Sequence, residues 1–294
     1  MNLDLLRSFF AIVEHGSLNR AAERLHVSQS TLTRQMQSLE QEVGGQLLER
    51  STSGVAITAA GHALVEGMRP VLVSFDSALA TARARARGRS AVLRIGYLMS
   101  LAGEYLHPAL ATLRKVHPEV DVKLLDLSPG EQIAALRAGE IDLALLGQCG
   151  RDVAKEFFVR KLATFPVCAV LATSHRLAGR ETVKLAELKG ELFVGAHERD
   201  LPGHNAWITQ LCRRAGFRPR FVLEAESLVH GFATVVTEGA VDLQPEYTRK
   251  AAGSGVVFVP LRDKNVTWDL YVAWQRGKIS SPIRVILDAL PSQG

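Results

Sequence analysis

The sequence is poor in the features that mark secreted, membrane and catalytic proteins. Its three cysteines, Cys149, Cys168 and Cys212, are odd in number and far apart, which excludes a disulfide framework and fits a reduced compartment. No apolar run is long enough to span a bilayer, and Asp4, Arg7 and Glu14 interrupt the N-terminal stretch where a secretory signal needs an apolar core. A cytoplasmic protein with no membrane partner is the expectation. There is no HExxH pattern, nucleophile elbow or phosphate loop, so an enzyme, a metal and a cofactor are not expected. Lysine is absent before Lys115, and the cations of that segment are arginines, the better residue for bidentate phosphate and base contacts. A net charge of +5 and a pI near 9.3 lean toward a polyanionic partner. At 47% hydrophobic content, 294 residues suffice for two or three compact units.

The most informative stretch runs from Ser17 to Leu39 and reads as two short helices joined by a turn at His26 and Val27. Leu18, Ala21, Ala22 and Leu25 recur at helical spacing, and the small pair Ala21 and Ala22 allows close helix crossing. Ser28 is placed to cap the second helix, whose buried stripe is Leu32, Met36 and Leu39. Gln29, Ser30, Thr33, Arg34 and Gln37 fall on the opposite face. An amphipathic pair is a common packing unit and a polar face is usually just solvated. This face, however, is nearly free of carboxylates and carries the short polar groups and arginine that read a major groove.

The segment LRSFFAIVEHGSLNRAAERLHVSQSTLTRQMQSLEQEVGGQLLER at 6–50, followed by GVAIT at 54–58, resembles the LysR-type transcriptional regulators. The resemblance implies an α+β chain: a winged helix-turn-helix DNA-binding domain at 1–58, a linker helix and hinge at 59–90, and a two-lobed α/β effector domain at 91–294, similar to periplasmic binding proteins. Lobe I is expected at 91–163 and 267–294, lobe II at 164–266. Promoter DNA, a small-molecule effector and a second copy of the chain, as dimer or tetramer, are the implied partners, with RNA polymerase if the outcome is activation. On DNA, Gln29 and Thr33 are expected to read bases and Arg34 a guanine edge or backbone. Ser17, Thr31 and Arg50 would position phosphates, with Ser28 and Ser30 at the start of the reading helix. Ser53 stands where the family often has a wing arginine.

The remaining pattern fits that layout. Residues 3–15 form a helix with Leu6, Phe9, Phe10 and Val13 on one side and Leu5 and Ile12 on its flank. Thr58 caps a long helix to about residue 87 with a seam of Leu64, Met68, Leu72, Phe75 and Leu79, which Pro70 should kink or weaken. Beyond residue 91, β-branched runs at 92–98, 120–127, 141–147, 167–172, 192–196, 221–225, 256–261 and 268–275 alternate with helices, predicting a parallel sheet. Chain crossings are expected near 162–166 and 262–267.

Ligands in such sheets sit beyond the strands' carboxyl ends, against helix N-termini. That rule selects Ser100, Ser128, Pro129, Pro202, His204 and Ser227 as effector contacts, and a carboxylate or other small anion as the effector; a plain helix cap is the equal alternative for each serine. His197, Glu198, Asp200 and His204 lack metal-ligand spacing and read as a polar loop. Asp242 and Gln244 stand where apolar strand residues are expected. Either that strand is rearranged and solvated, or the two side chains line an unusually polar cleft.

Overall fold

A computed structural model describes residues 2–51, 54–86, 92–98, 102–148, 151–277 and 279–291. The chain forms two compact units, Met1–Leu72 and Val73–Gly294.

The first unit opens with α1 (Leu3–His15), α2 (Leu18–Leu25) and α3 (Gln29–Val43). Asn2 caps α1 through the Asp4 N–H at 3.0 Å, and Gly16 closes it at φ 60°. His26 ends α2 at φ 55°, a left-handed conformation uncommon for a residue with a side chain. The reason is the tight reversal into α3: the next residue, Val27, bonds back to the Ala22 carbonyl at 3.0 Å. Phe9, Ile12, Ala21, Leu32 and Leu39 are fully buried, so the helices cross closely at the small alanine. The buried stripe of α1 is Leu6, Phe9 and Ile12, while Phe10 and Val13 lie at its edge; the stripe is rotated by about one position from the sequence reading. The Glu40 carboxylate accepts the Leu47 and Leu48 N–H groups at 2.9 and 3.2 Å. It thereby fixes the start of a hairpin, β1 (Leu48–Ser51) and β2 (Gly54–Ile57). Thr58 caps α4 (Ala59–Ala86), accepting the Gly61 N–H at 3.0 Å. This helix continues through Pro70 without a break, where the sequence predicted a kink or weakened turn.

The second unit is built on one mixed sheet. Its strands are β3 (Val92–Tyr97), β4 (Asp121–Asp126), β5 (Leu143–Gly147), β6 (Phe157–Ala172), β9 (Asp242–Pro245), β10 (Val256–Pro260) and β11 (Thr267–Gln275). The order is β10-β6-β11-β5-β3-β4, with β9 also paired to β6. Only β3 pairs parallel with β4 and β5; every pairing of β6 and β11 is antiparallel. The expected parallel sheet is therefore mixed, because the chain crosses out along β6 and returns along β11. A separate parallel pair, β7 (Leu192–Ala196) and β8 (Arg220–Ala225), joins β9 through a bridge from Phe193 to Val241.

The helices α5 (His107–Val116), α6 (Pro129–Ala138), α7 (Arg151–Glu156), α8 (His204–Arg214), α9 (Leu228–Glu238) and α10 (Ser281–Ala289) cover these strands. A π-helical turn at 102–106 precedes α5, and α7 had no counterpart in the sequence reading. Two buried amides lock helices to strands. Gln132 on α6 donates to the Leu127 carbonyl and accepts the Leu145 N–H, both at 2.9 Å. Asn205 on α8 bonds both backbone groups of Ala196 at 2.8 Å.

One backbone bond ties the first turn of α6 to the loop before α8: the Gly130 N–H donates to the Asp200 carbonyl at 2.9 Å. A Cβ on Gly130 would lie 1.7 Å from the Arg199 carbonyl oxygen. Alanine is the better helix former by about 1 kcal/mol, so propensity alone predicts that Gly130→Ala stabilises α6. The contact predicts the opposite sign, a loss of about 1–3 kcal/mol as the loop is forced away. Urea unfolding of wild type and variant decides between them.

Candidate nucleic-acid interface and ligand cavity

The N-terminus of α3 presents a preorganised polar cluster. The Ser28 hydroxyl accepts the Thr31 N–H at 3.1 Å and lies 2.9 Å from the Ser30 hydroxyl and 2.8 Å from the Thr31 hydroxyl. Gln29, Ser30, Arg34 and Gln37 are exposed beside it, Thr31 and Thr33 are half-buried, and Leu32, Met36 and Leu39 face inward. Arg34 Nε bonds the Ser30 carbonyl at 3.4 Å, a weak tether that leaves the guanidinium head on the surface. Ser17 starts α2 without using its hydroxyl as a cap. The structure thus groups the predicted α3 residues on one face. Arg50 lies in β1, but its side chain, like all of Ser53, falls outside the described residues.

In the second unit, a cavity of about 390 Å³ opens between the carboxyl ends of the strands and the starts of three helices. Ser128 and Pro129 line it from α6, Pro202 and His204 from α8, and Ser227 from α9. Five of the six predicted effector residues therefore share one cavity; the sixth, Ser100, lies outside the described residues. Its size is within the range of small-molecule sites. Gln148, Tyr247, Thr248 and Trp268 also line it and were missed. Gln148 directly follows β5, so the carboxyl-end rule pointed to it. Tyr247 and Trp268 carry no local signal, because they reach the floor only through the return of the chain.

Residues 3–62 match the family model for bacterial regulatory helix-turn-helix proteins of the lysR family, and residues 86–294 match the LysR substrate binding domain. The chain belongs to the LysR family. The HTH-type transcriptional regulator YnfL of Escherichia coli (strain K12) is 30% identical over 96% of this chain and 95% of its own. ClcR of Pseudomonas putida is 28% identical, covering 99% of this chain and 98% of its own. Among solved structures, CbnR, a LysR family regulator, superposes with a TM-score of 0.59 at 25% identity, covering 98% of each chain. CbnR in complex with its target DNA gives 0.55 at 26% identity, over 99% of this chain and 98% of that one. The chain is thus a DNA-binding transcriptional regulator with a C-terminal effector-binding domain.

The cavity is acidic. Asp126, Glu131, Glu226 and Asp242 line it, and no lysine or arginine does among the described residues. Several N–H groups at the helix starts already have partners. At α6, Ser128 and Glu131 form a capping box, Pro129 has no N–H, and the Gly130 N–H is taken by Asp200. At α8, the Gly203 N–H goes to the Glu198 carboxylate at 2.8 Å. At α9, Ser227 accepts the His230 N–H at 3.2 Å. Burial holds the pKa of His204 down at about 4, so it is a neutral ring at pH 7. Asp200 pairs with Arg199 at 3.2 Å. The sequence-based expectation of an anionic effector therefore meets a described wall with carboxylates and no cation to balance them.

Of the two alternatives for the odd strand, the second holds: Asp242 and Gln244 lie in β9, paired with β6, and both line the cavity. Asp242 is 1% exposed. Its Oδ2 accepts from Gln244 Nε2 at 2.9 Å, while Oδ1 has no hydrogen-bond partner among the described residues. Burial raises its pKa from 3.8 to about 6, against the opposing Gln244 amide and Leu243 N–H. A carboxyl whose folded pKa lies above its unfolded value costs stability once pH exceeds the folded pKa, and the cost vanishes below the unfolded one. Asp242→Asn should therefore stabilise the ligand-free protein at pH 7.5, by up to about 3 kcal/mol. The advantage should shrink as pH falls from about 6 toward 4, as denaturant midpoints across that range will show.

Proposed function

We propose that the chain binds operator DNA as a homo-oligomer through the exposed face of α3, and that a small organic effector in the 390 Å³ cavity alters that binding. The observation that carries the proposal is the pairing, in one chain, of a capped reading face with no acidic residue in its first turn and a lined cavity in a separate unit. The DNA-bound structure of CbnR supports the first half. In the proposed roles, Gln29 and Thr33 contact base edges, Arg34 a guanine or the backbone, and Ser17, Ser28, Ser30, Thr31, Arg50 and Ser53 the phosphates or their approach. The effector contacts are Ser100, Ser128, Pro129, Pro202, His204 and Ser227. The working domains are 1–58, 59–90 and 91–294, with the chain acting in the cytoplasm, without catalysis, and reaching RNA polymerase where it activates. A bare carboxylate effector gains little from the described wall, so the proposed effector presents hydrogen-bond donors.

Oligomerisation is supported by the seam of α4. Leu72 is buried, yet Val71 and Phe75 are 49% and 41% exposed in the single chain, which is more apolar surface than a solvated helix needs. Two-fold operators mirror two-fold proteins. Phe75→Glu should lower the mass measured by light scattering at micromolar protein; a wild type that is already monomeric there refutes the seam's role.

DNA recognition is tested on a fragment selected by the full-length protein from genomic DNA. Arg34→Ala should weaken binding by at least about 1 kcal/mol and flatten its salt dependence. Unchanged affinity and salt slope would remove Arg34 from the interface.

A further inference from the structure

We propose that Asp242 selects the effector, and that the effector is a small organic cation, a protonated amine or guanidine whose N–H group pairs with Asp242 Oδ1. The inference rests on the effector-regulated reading above and names the ligand class for that same cavity.

Four observations converge on it. Asp242 Oδ1 is a buried acceptor with no partner among the described residues, in a side chain that lines the cavity. Such an atom costs free energy until a donor reaches it, and a charged donor gives the strongest pairing. The carboxylate is also held in place. Gln244 fixes Oδ2 at 2.9 Å, and Gly231 on α9 keeps space beside it, since a Cβ there would lie 3.2 Å from Oδ2. The wall adds Asp126, Glu131 and Glu226 and no lysine or arginine among the described residues, so the field in the cavity favours a positive guest. Finally, Tyr247 and Trp268 line the same space with ring centroids 5.4 Å apart, and Phe165 packs 4.8 Å from Tyr247. Aromatic rings beside a carboxylate are the usual surroundings of a bound organic cation.

The other titratable groups near the site do not compete for this role. Cys168, opposite Gln244 on β6, has its thiol pushed up to about 11 by burial, and the Tyr247 phenol is raised in the same way. His204 is neutral, and beside Asp242 the nearest neighbours of a Cβ at Gly231 are the apolar Val194 and Ala225 side chains. Glu226, at the start of α9, is exposed. The described wall carries carboxyl side chains and no lysine or arginine, and Asp242 is the buried one among them.

The experiment is calorimetry on the full-length protein with putrescine, L-arginine and guanidinium, set against propionate, benzoate and glycerol. At least one cation should bind the wild type, and the carboxylates and glycerol should not. Asp242→Asn should weaken that cation by about tenfold or more, the loss expected for one charge-assisted bond. In the wild type alone, the affinity should rise as pH is raised through the region of 6, which keeps the test valid if the variant misfolds. Absence of cation binding, equal binding by a folded Asp242→Asn, or preference for the carboxylates overturns the proposal. DNA binding by the wild type is measured alongside on the selected genomic fragment. Binding of DNA with no cation response defeats this inference alone, whereas failure to select any DNA defeats the regulatory reading.

Discussion

The effector domain depends on one pair of antiparallel strands, β6 with β11. Residues 157–166 of β6 pair with β11 and extend the β5-β3-β4 side, and residues 167–172 pair with β9 and β10. A single strand therefore serves both halves of the domain, and its backbone ladder fixes where β9 can lie. Because β9 pairs with β6 from Val167 to Val170, Asp242 is delivered to the cavity by main-chain hydrogen bonds rather than by side-chain preference. Gln148 reinforces the return strand: its N–H bonds the Asp269 carbonyl at 2.9 Å and its amide bonds the Thr267 carbonyl at 3.1 Å. The strained φ of 48° at Gln148 is held by those two bonds.

Around that scaffold, polar groups have two fates. Gln132 and Asn205 are matched on both their amide atoms and act as fasteners between helix and strand. Asp242 is matched on one oxygen only. A carboxyl that destabilises the empty fold is out of place in a purely structural role, since an apolar or amide residue of the same size fills the position at lower cost. It fits a site whose guest completes the pairing, because a ligand that binds only the folded chain returns the missing energy by mass action.

The helical DNA-binding unit was largely legible in the sequence because its determinants are local. Ser28 three residues before Thr31, alanines at the helix crossing and apolar residues at helical spacing each act within one or two turns. The rotated stripe of α1 was less legible: Leu5, Phe9, Phe10, Ile12 and Val13 offer two overlapping faces, and only packing against α2 and α3 chooses between them. In the effector domain most strand positions were legible, but the 157–166 half of β6 was not read as a strand, and the strand directions were not legible either, since parallel and antiparallel pairing follow from long-range chain return. The same cause hid Tyr247 and Trp268. The anionic effector was read from helix N-termini and from the family resemblance, a reading that did not count the carboxylates of Glu131 and Glu198, which bond the Ser128 and Gly203 N–H groups at two of those ends.

The central physical claim is a buried, half-paired carboxylate lining the cavity of the effector domain. Its most direct test is the carboxyl-carbon titration of Asp242 by NMR on aspartate-labelled, ligand-free protein, assigned by the signal lost in Asp242→Asn. The account predicts a midpoint near 6. A midpoint at or below the ordinary aspartate value of 3.8 would show a solvated or already paired carboxylate and contradict it.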